Sequence, residues 1–142
     1  MNRSEYVLAV MALLGRSTSL TPAKIQKLFF ILDREIPGNI QGPRFNFTAY
    51  DYGPFDATVY QEIEGLEIAG LALIERGNPH KIYKLSDAGF ERGEELSQGF
   101  TPEIREYIQS IGTLVQSLSF QGLVSTIYQN YPEMRARSVF RE

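Results

Sequence analysis

The residues whose types and spacing could suggest acid–base chemistry are Glu62, Glu64 and Glu67, which could be read as paired carboxylates, and the single histidine His80; the tyrosines Tyr50, Tyr52 and Tyr60 suggest contacts instead. Glu64 and Glu67 are i,i+3 neighbours on the solvated face of an expected helix. Nothing in the sequence places apolar cover over either to raise its pKa, as a general acid working at neutral pH requires. His80 stands in an expected turn beside Lys81. One histidine without a second cannot build a His-based metal site or a Ser-His-Asp triad. The absence of cysteine removes thiolate zinc sites, disulfides and cysteine nucleophiles, and fits a reducing cytoplasm. Neither GxxxxGK[ST] nor GxGxxG occurs, so no glycine-rich phosphate loop is expected. These residue types point away from an enzyme, a metal or a cofactor and toward binding. The tyrosines suit binding, since each joins an apolar ring to a hydroxyl that needs a partner.

The tyrosines crowd one corner, FNFTAYDYGPFDATVY over 45–60. Phe45, Phe47 and Ala49 alternate with Asn46, Thr48 and Tyr50, a period of two that predicts a short strand with one apolar face. Gly53-Pro54 then breaks the pattern. Pro54 disfavours helix at the residue before it and suits a first helical turn itself, so Gly53 reads as the junction and Pro54 as the start of a third helix. That places Asp56 in the first turn, where unpaired N–H groups favour an acid. The helix is expected over 54–69, with Phe55, Val59, Ile63 and Leu66 inward and Gly70 as C-cap. Its outer face carries Asp56, Gln61, Glu62, Glu64 and Glu67 and no base.

At 142 residues, 43% hydrophobic and 22% charged, the chain reads as one ordinary globular domain. Arg3 followed by the apolar run 7–14 imitates a signal peptide, but Glu5 lies inside the basic region and no small-x-small site follows. A buried first helix over 4–15 is expected instead, too short to span a bilayer. Thr21-Pro22 caps a second helix whose Ile25, Leu28, Phe29, Leu32 and Ile36 form one stripe, stopped by Pro37-Gly38. Phe30 and Ile31 lie off it and imply a second contact surface, best filled by another element of the same domain. Strands over 71–75 and 81–85 bracket a five-residue turn of Arg76, Gly77, Asn78, Pro79 and His80. Ser86 caps a helix carrying Phe90 and Leu96. Beyond it, Thr101-Pro102 opens a helix with Ile104, Ile108, Ile111, Val115 and Leu118, and another carries Leu123, Val124, Ile127, Tyr128 and Tyr131 up to Pro132. A weakly basic tail with Arg135, Arg137 and Arg141 follows. The expected class is mainly α with a small β-hairpin: a winged-helix-like core over 1–98 and a helical extension over 99–142, together one domain. The extension either covers the core or builds a homodimer interface, and periodicity does not separate the two.

A winged helix raises the question of DNA. The formal charge of −3 argues against wholesale binding to nucleic acid or anionic membrane. A recognition helix gains most of its affinity from Lys and Arg beside phosphates, and the third helix here has four acids and no base. Basic residues do stand elsewhere, at Lys24, Lys27, Arg76, Lys81 and Lys84, so contact through another face is the weaker alternative.

Lys24, Gln26, Lys27 and Leu28, read as Lys-x-Gln-Lys-Leu, followed by Tyr52, Gly53, Pro54 and Tyr60, resemble the Panacea (SocA-like) antitoxin domain and the related YwgA-like family. The stretch 83–89, Tyr-Lys-Leu-Ser-Asp-Ala-Gly, is similar to the end of many winged hairpins, with serine in place of threonine. The matching motifs span about residues 20–90. Panacea domains carry Ala-Trp before the Tyr-Gly-Pro, whereas this chain has Ala49-Tyr50 and no tryptophan, which is closer to the YwgA-like branch. The resemblance implies a cytoplasmic bacterial or phage-associated protein, antitoxin-like, that neutralises or regulates a partner protein such as a toxin in a toxin–antitoxin or phage-defence system. Tyr50, Tyr52, Asp56, Tyr60, Glu62, Glu64 and Glu67 are then the expected partner-binding residues, facing a more basic partner. The alternative is a winged-helix DNA-binding transcriptional regulator.

Overall fold

A computed structural model describes residues 1–77 and 79–140. Asn78 of the expected turn and Arg141 of the basic tail therefore lie outside the described residues. The first helix, α1 (Arg3–Leu13), starts at Asn2, whose side chain accepts the Glu5 N–H while the Glu5 carboxylate accepts the Asn2 N–H. This reciprocal pair satisfies two donors that a helix start leaves open. Every residue from Tyr6 to Ala12 is buried, as apolar residues on more than one face require.

The second helix, α2 (Pro22–Glu35), begins at the expected cap, with Thr21 Oγ1 accepting the Lys24 N–H at 3.3 Å. Ile25, Leu28, Phe29 and Leu32 join the cluster built on α1. Phe30 and Ile31 enter a second cluster with Val115, Leu123, Val124, Ile127 and Tyr128. Those partners come from α5 (Pro102–Ser117) and α6 (Phe120–Asn130), so the C-terminal helices cover the core of their own chain. The helix α2 is thus a wall between two apolar clusters, which is why it has almost no free face. Each large apolar side chain buried this way contributes about 1.5–3 kcal/mol.

The tyrosine corner differs from expectation. The strand over 45–50 shortens to β1 (Thr48–Tyr50), although Phe45 and Phe47 still turn inward and Asn46 stays exposed. Pro54 does not start a helix. It lies in β2 (Gly53–Phe55), antiparallel to β1 with Thr48 opposite Phe55, Ala49 opposite Pro54 and Tyr50 opposite Gly53. Phe55 is accordingly a half-buried strand residue and not an inward helix residue. The third helix, α3 (Ala57–Ile68), starts three residues later than Pro54, and Asp56 is its N-cap, not a first-turn residue. Two causes explain the shift. Proline's fixed φ suits a short edge strand as well as a first helical turn. Asp56 also carries a side chain that can accept an N–H, whereas Gly53 carries none. Gly53 has φ +117°, a conformation that favours glycine, and it lets the chain reverse directly after Asp51 and Tyr52.

Val59, Ile63 and Leu66 of α3 face the core, and Gly70, at φ +81°, follows its last turn. The strands β3 (Ala72–Arg76) and β4 (Lys81–Leu85) pair antiparallel from Ala72 opposite Leu85 to Arg76 opposite Lys81. Leu20, between α1 and α2, adds a bridge on the other edge of β4, exchanging two N–H···O bonds of 2.9 Å with Tyr83. Ser86 caps α4 (Asp87–Ser97), which crosses α1 closely: a methyl group at Gly93 would lie 2.6 Å from both Ala12 Cβ and the Leu8 carbonyl oxygen. The described residues are therefore mainly helical, with six α-helices and two small antiparallel sheets. No helix among them is long and apolar enough to cross a membrane.

Candidate functional site

The two sequence motifs meet in space. Gln26 on α2 holds the backbone of Asp56 from both sides: its Nε2 donates to the Asp56 carbonyl and its Oε1 accepts the Asp56 N–H, each at 2.9 Å. The amide thus substitutes for the strand partner that Asp56 lacks and fixes the exit of β2 against α2. The Lys27 side chain runs beneath Gly53, with its Cε 3.7 Å from where a Cβ on that glycine would stand. Leu28 is fully buried in the core. Tyr60 donates its hydroxyl to the Pro22 carbonyl at 3.4 Å and stacks on Tyr83, with ring centres 5.7 Å apart. Burial pushes the Tyr60 hydroxyl pKa above its ordinary value. Lys24 is placed outside this arrangement, its amine donating to the Gln116 carbonyl at 3.1 Å.

On the other flank, Asp33 of α2 is buried, and its two carboxylate oxygens accept the Arg44 and Phe45 N–H groups at 2.8 and 2.9 Å. This anchors the approach to β1. Burial raises the Asp33 pKa, against the pull of those two N–H bonds. Asp56 accepts the Thr58 N–H, as a cap should, and also the Asn46 N–H at 2.7 Å. Partial burial pushes its carboxyl up, but the N–H donors outweigh that and hold it below the usual carboxylate range.

Between α2, the β1–β2 hairpin and the start of α6 lies a pocket of about 180 Å³, lined by Gln26, Lys27, Tyr50, Tyr52, Tyr60 and Phe120 among others. It shares the lining residues Ala23, Tyr52 and Phe120 with a larger neighbouring cavity of about 600 Å³ that reaches Lys24, Leu118 and His80. Tyr52 and Phe120 meet edge to face at 5.2 Å, and Tyr50 lies beside Phe55 at 5.1 Å. Lys27 is only 3% exposed, and its amine has no hydrogen bond or ion pair among the described residues. The Nζ stands 6.0 Å from the centre of the Phe120 ring. Burial lowers its pKa from the ordinary 10.5 to about 8. His80 is exposed at the rim. No three or more His, Asp or Glu side chains gather for a metal ion among the described residues.

The acids of α3 are less free than their sequence suggests. Glu62 pairs with Arg3 at 3.1 Å, and Glu67 takes a two-pronged pair from Arg76 at 2.7 and 2.9 Å. That hydrogen bonding holds the Glu67 carboxyl below its ordinary pKa. Glu64 makes no ion pair among the described residues. Of the expected binding residues, Tyr50, Tyr52 and Tyr60 share the groove, Asp56 serves the backbone, and Glu62, Glu64 and Glu67 stand on α3. Sequence reasoning missed Phe120 and the burial of Lys27. A signal for the latter existed: Lys27, Phe30 and Ile31 are spaced i, i+3 and i+4 on the second face of α2. Comparison with protein-family models, with curated proteins and with solved structures finds no match to this chain.

Proposed function

We propose that this chain is a non-enzymatic protein-binding module, antitoxin-like, that neutralises or regulates a partner protein in a bacterial or phage-associated toxin–antitoxin or defence system. The observation that carries the reading is the aromatic groove, where Tyr50, Tyr52 and Phe120 remain 47%, 46% and 45% exposed around a buried cation. Exposed tyrosine and phenylalanine rings flanking a concavity are the usual anchors of protein interfaces. The convergence of Gln26 and Lys27 with Gly53, Pro54 and Tyr60 supports the Panacea-like and YwgA-like resemblance, since residues far apart in sequence serve one corner. A winged-helix-like core is supported by the order α1, α2, α3 and hairpin, and by the Leu20–Tyr83 bridge, which adds a single pairing on the outer edge of β4.

A winged-helix regulator of transcription is the second reading, favoured by that same order of elements. Against it stand Glu62, Glu64 and Glu67 on the outer side of α3, where a recognition helix needs bases. The test is co-expression with the neighbouring gene product in the source host, scored by growth and by co-purification. Loss of the complex with Tyr52→Ala and Phe120→Ala, in a protein that melts as the parent does, supports the groove as the interface. A complex indifferent to both substitutions contradicts it.

A further inference from the structure

The groove contains one feature that packing does not explain. The Lys27 side chain is buried, and its amine, open only to the pocket, has no anion beside it; a largely desolvated ammonium without a counter-charge is costly, which is why such groups are rare outside functional sites. Its neighbours do not neutralise it. The ionisable side chains lining the same pocket are Tyr50, Tyr52 and Tyr60, and no carboxylate lies within 4 Å of the amine among the described residues. Two helices also begin here: Thr21 and Pro22 at the start of α2, and Ser119 and Phe120 at the start of α6, line the larger cavity. Helix starts carry partial positive charge, so they reinforce the sign set by Lys27.

We infer that this groove seats a carboxylate presented by an extended segment of the partner protein, with Lys27 Nζ as its counter-charge and Tyr52 and Phe120 as the walls on either side. The inference rests on the protein-binding reading and specifies the chemistry of the contact. Lys27 is the one cation lining the smaller pocket, Lys24 standing at the larger cavity with its amine on the Gln116 carbonyl, so the smaller pocket suits a monoanion better than a phosphate dianion. The pocket of about 180 Å³ takes a carboxylate and its stem, and the adjoining 600 Å³ takes the flanking residues against Leu118, Phe120 and Leu123. The tyrosine hydroxyls of Tyr50 and Tyr52 supply further donors at the mouth. The acids on α3 do not oppose this, since Arg3 and Arg76 already pair with Glu62 and Glu67. The carboxylate comes either from an Asp or Glu side chain or from a chain's C-terminus.

The experiment selects random twelve-residue peptides on the parent protein, on Lys27→Met and on Lys27→Gln. One library is displayed with a free C-terminus and one with that end fused. The expected result is enrichment of an acidic residue at one position in the fused library, or dependence on the free end in the other. Binding of the selected peptides should fall about tenfold or more in both variants, the scale of a lost charge-assisted hydrogen bond. Thermal melts of all three proteins establish that the groove is intact, and Lys27→Gln retains length and polarity should Lys27→Met disturb it. No selected peptide, no acid requirement, or the same requirement on the variants overturns the inference. If the natural partner still depends on Tyr52 but not on Lys27, the carboxylate seat fails and the protein-binding reading stands; independence from both removes the two together.

Discussion

Replacing Lys27 by methionine is expected to stabilise this protein, although the residue is buried in the middle of its second helix. Methionine keeps the unbranched stem that packs under Gly53 and removes the charge. The amine is held at about 8 in the folded chain against 10.5 when free. The folded state therefore binds this proton less tightly than the unfolded state does. At any pH below about 8 both states carry it, and the folded state bears the full cost of the buried charge. As pH rises from about 8 to 10.5 the folded amine is already neutral while the unfolded one is still losing its proton, so the cost fades across that window. At about 1.4 kcal/mol per pH unit, the cost at neutral pH is on the order of 3 kcal/mol. Urea denaturation of parent and variant at pH 7 and again near pH 10.5 measures this directly. The expected gain is about 1–3 kcal/mol at pH 7, largely gone at the higher pH. A variant less stable than the parent at pH 7, or a gain that does not change with pH, would show that the amine is satisfied where it lies and would refute the reasoning.

Gly53→Val should cost about 1–3 kcal/mol in a thermal melt, because φ +117° is strained for a branched residue, although a Cβ itself would meet Lys27, Ile127 and Tyr128 only at ordinary contact distances of 3.7–3.8 Å. Asp56→Ala should lose about 1–2 kcal/mol at pH 7 through the cap of α3 and the Asn46 N–H. Because the folded carboxyl lies below its ordinary pKa, that difference should shrink as pH falls through the folded value; melts between pH 7 and about 3 check this. Replacing Glu62, Glu64 and Glu67 by glutamine should leave the thermal melt close to the parent's, since solvent screens these ion pairs. The same variant should associate more slowly with a basic partner and lose salt dependence, as stopped-flow mixing at two ionic strengths would show. In a gel shift against the upstream region of its own gene, DNA affinity should be no tighter than about micromolar at physiological salt; a discrete complex surviving competitor and lost on replacing Arg76, Lys81 and Lys84 would favour the regulator.

Much of the fold is readable from local signals. Thr21-Pro22, Ser86 and Thr101-Pro102 begin helices where cap chemistry says they should, and the apolar stripe of α2 is the buried stripe. The pairing of Phe30 and Ile31 with α5 and α6 follows from their position off that stripe. The corner was harder because Gly-Pro is compatible with two local structures. Proline fixes its own φ but not its partner, and here the choice is made by Gln26, thirty residues away, gripping the backbone of Asp56. The acidic face of α3 was likewise legible as composition but not as charge, since Arg3 and Arg76 reach it from α1 and β3. The groove itself depends on Phe120 arriving beside Tyr52, a contact between elements that no local pattern encodes.

The most direct measurement of the groove's role is amide hydrogen exchange on the complex with the neighbouring gene product, compared with the free chain. Protection gathered on residues 22–27, 50–55 and 119–123, the three stretches that form the groove, is the expected result. Protection confined to the outer face of α5 or to the β3–β4 hairpin, with those three stretches exchanging as in the free chain, would contradict it.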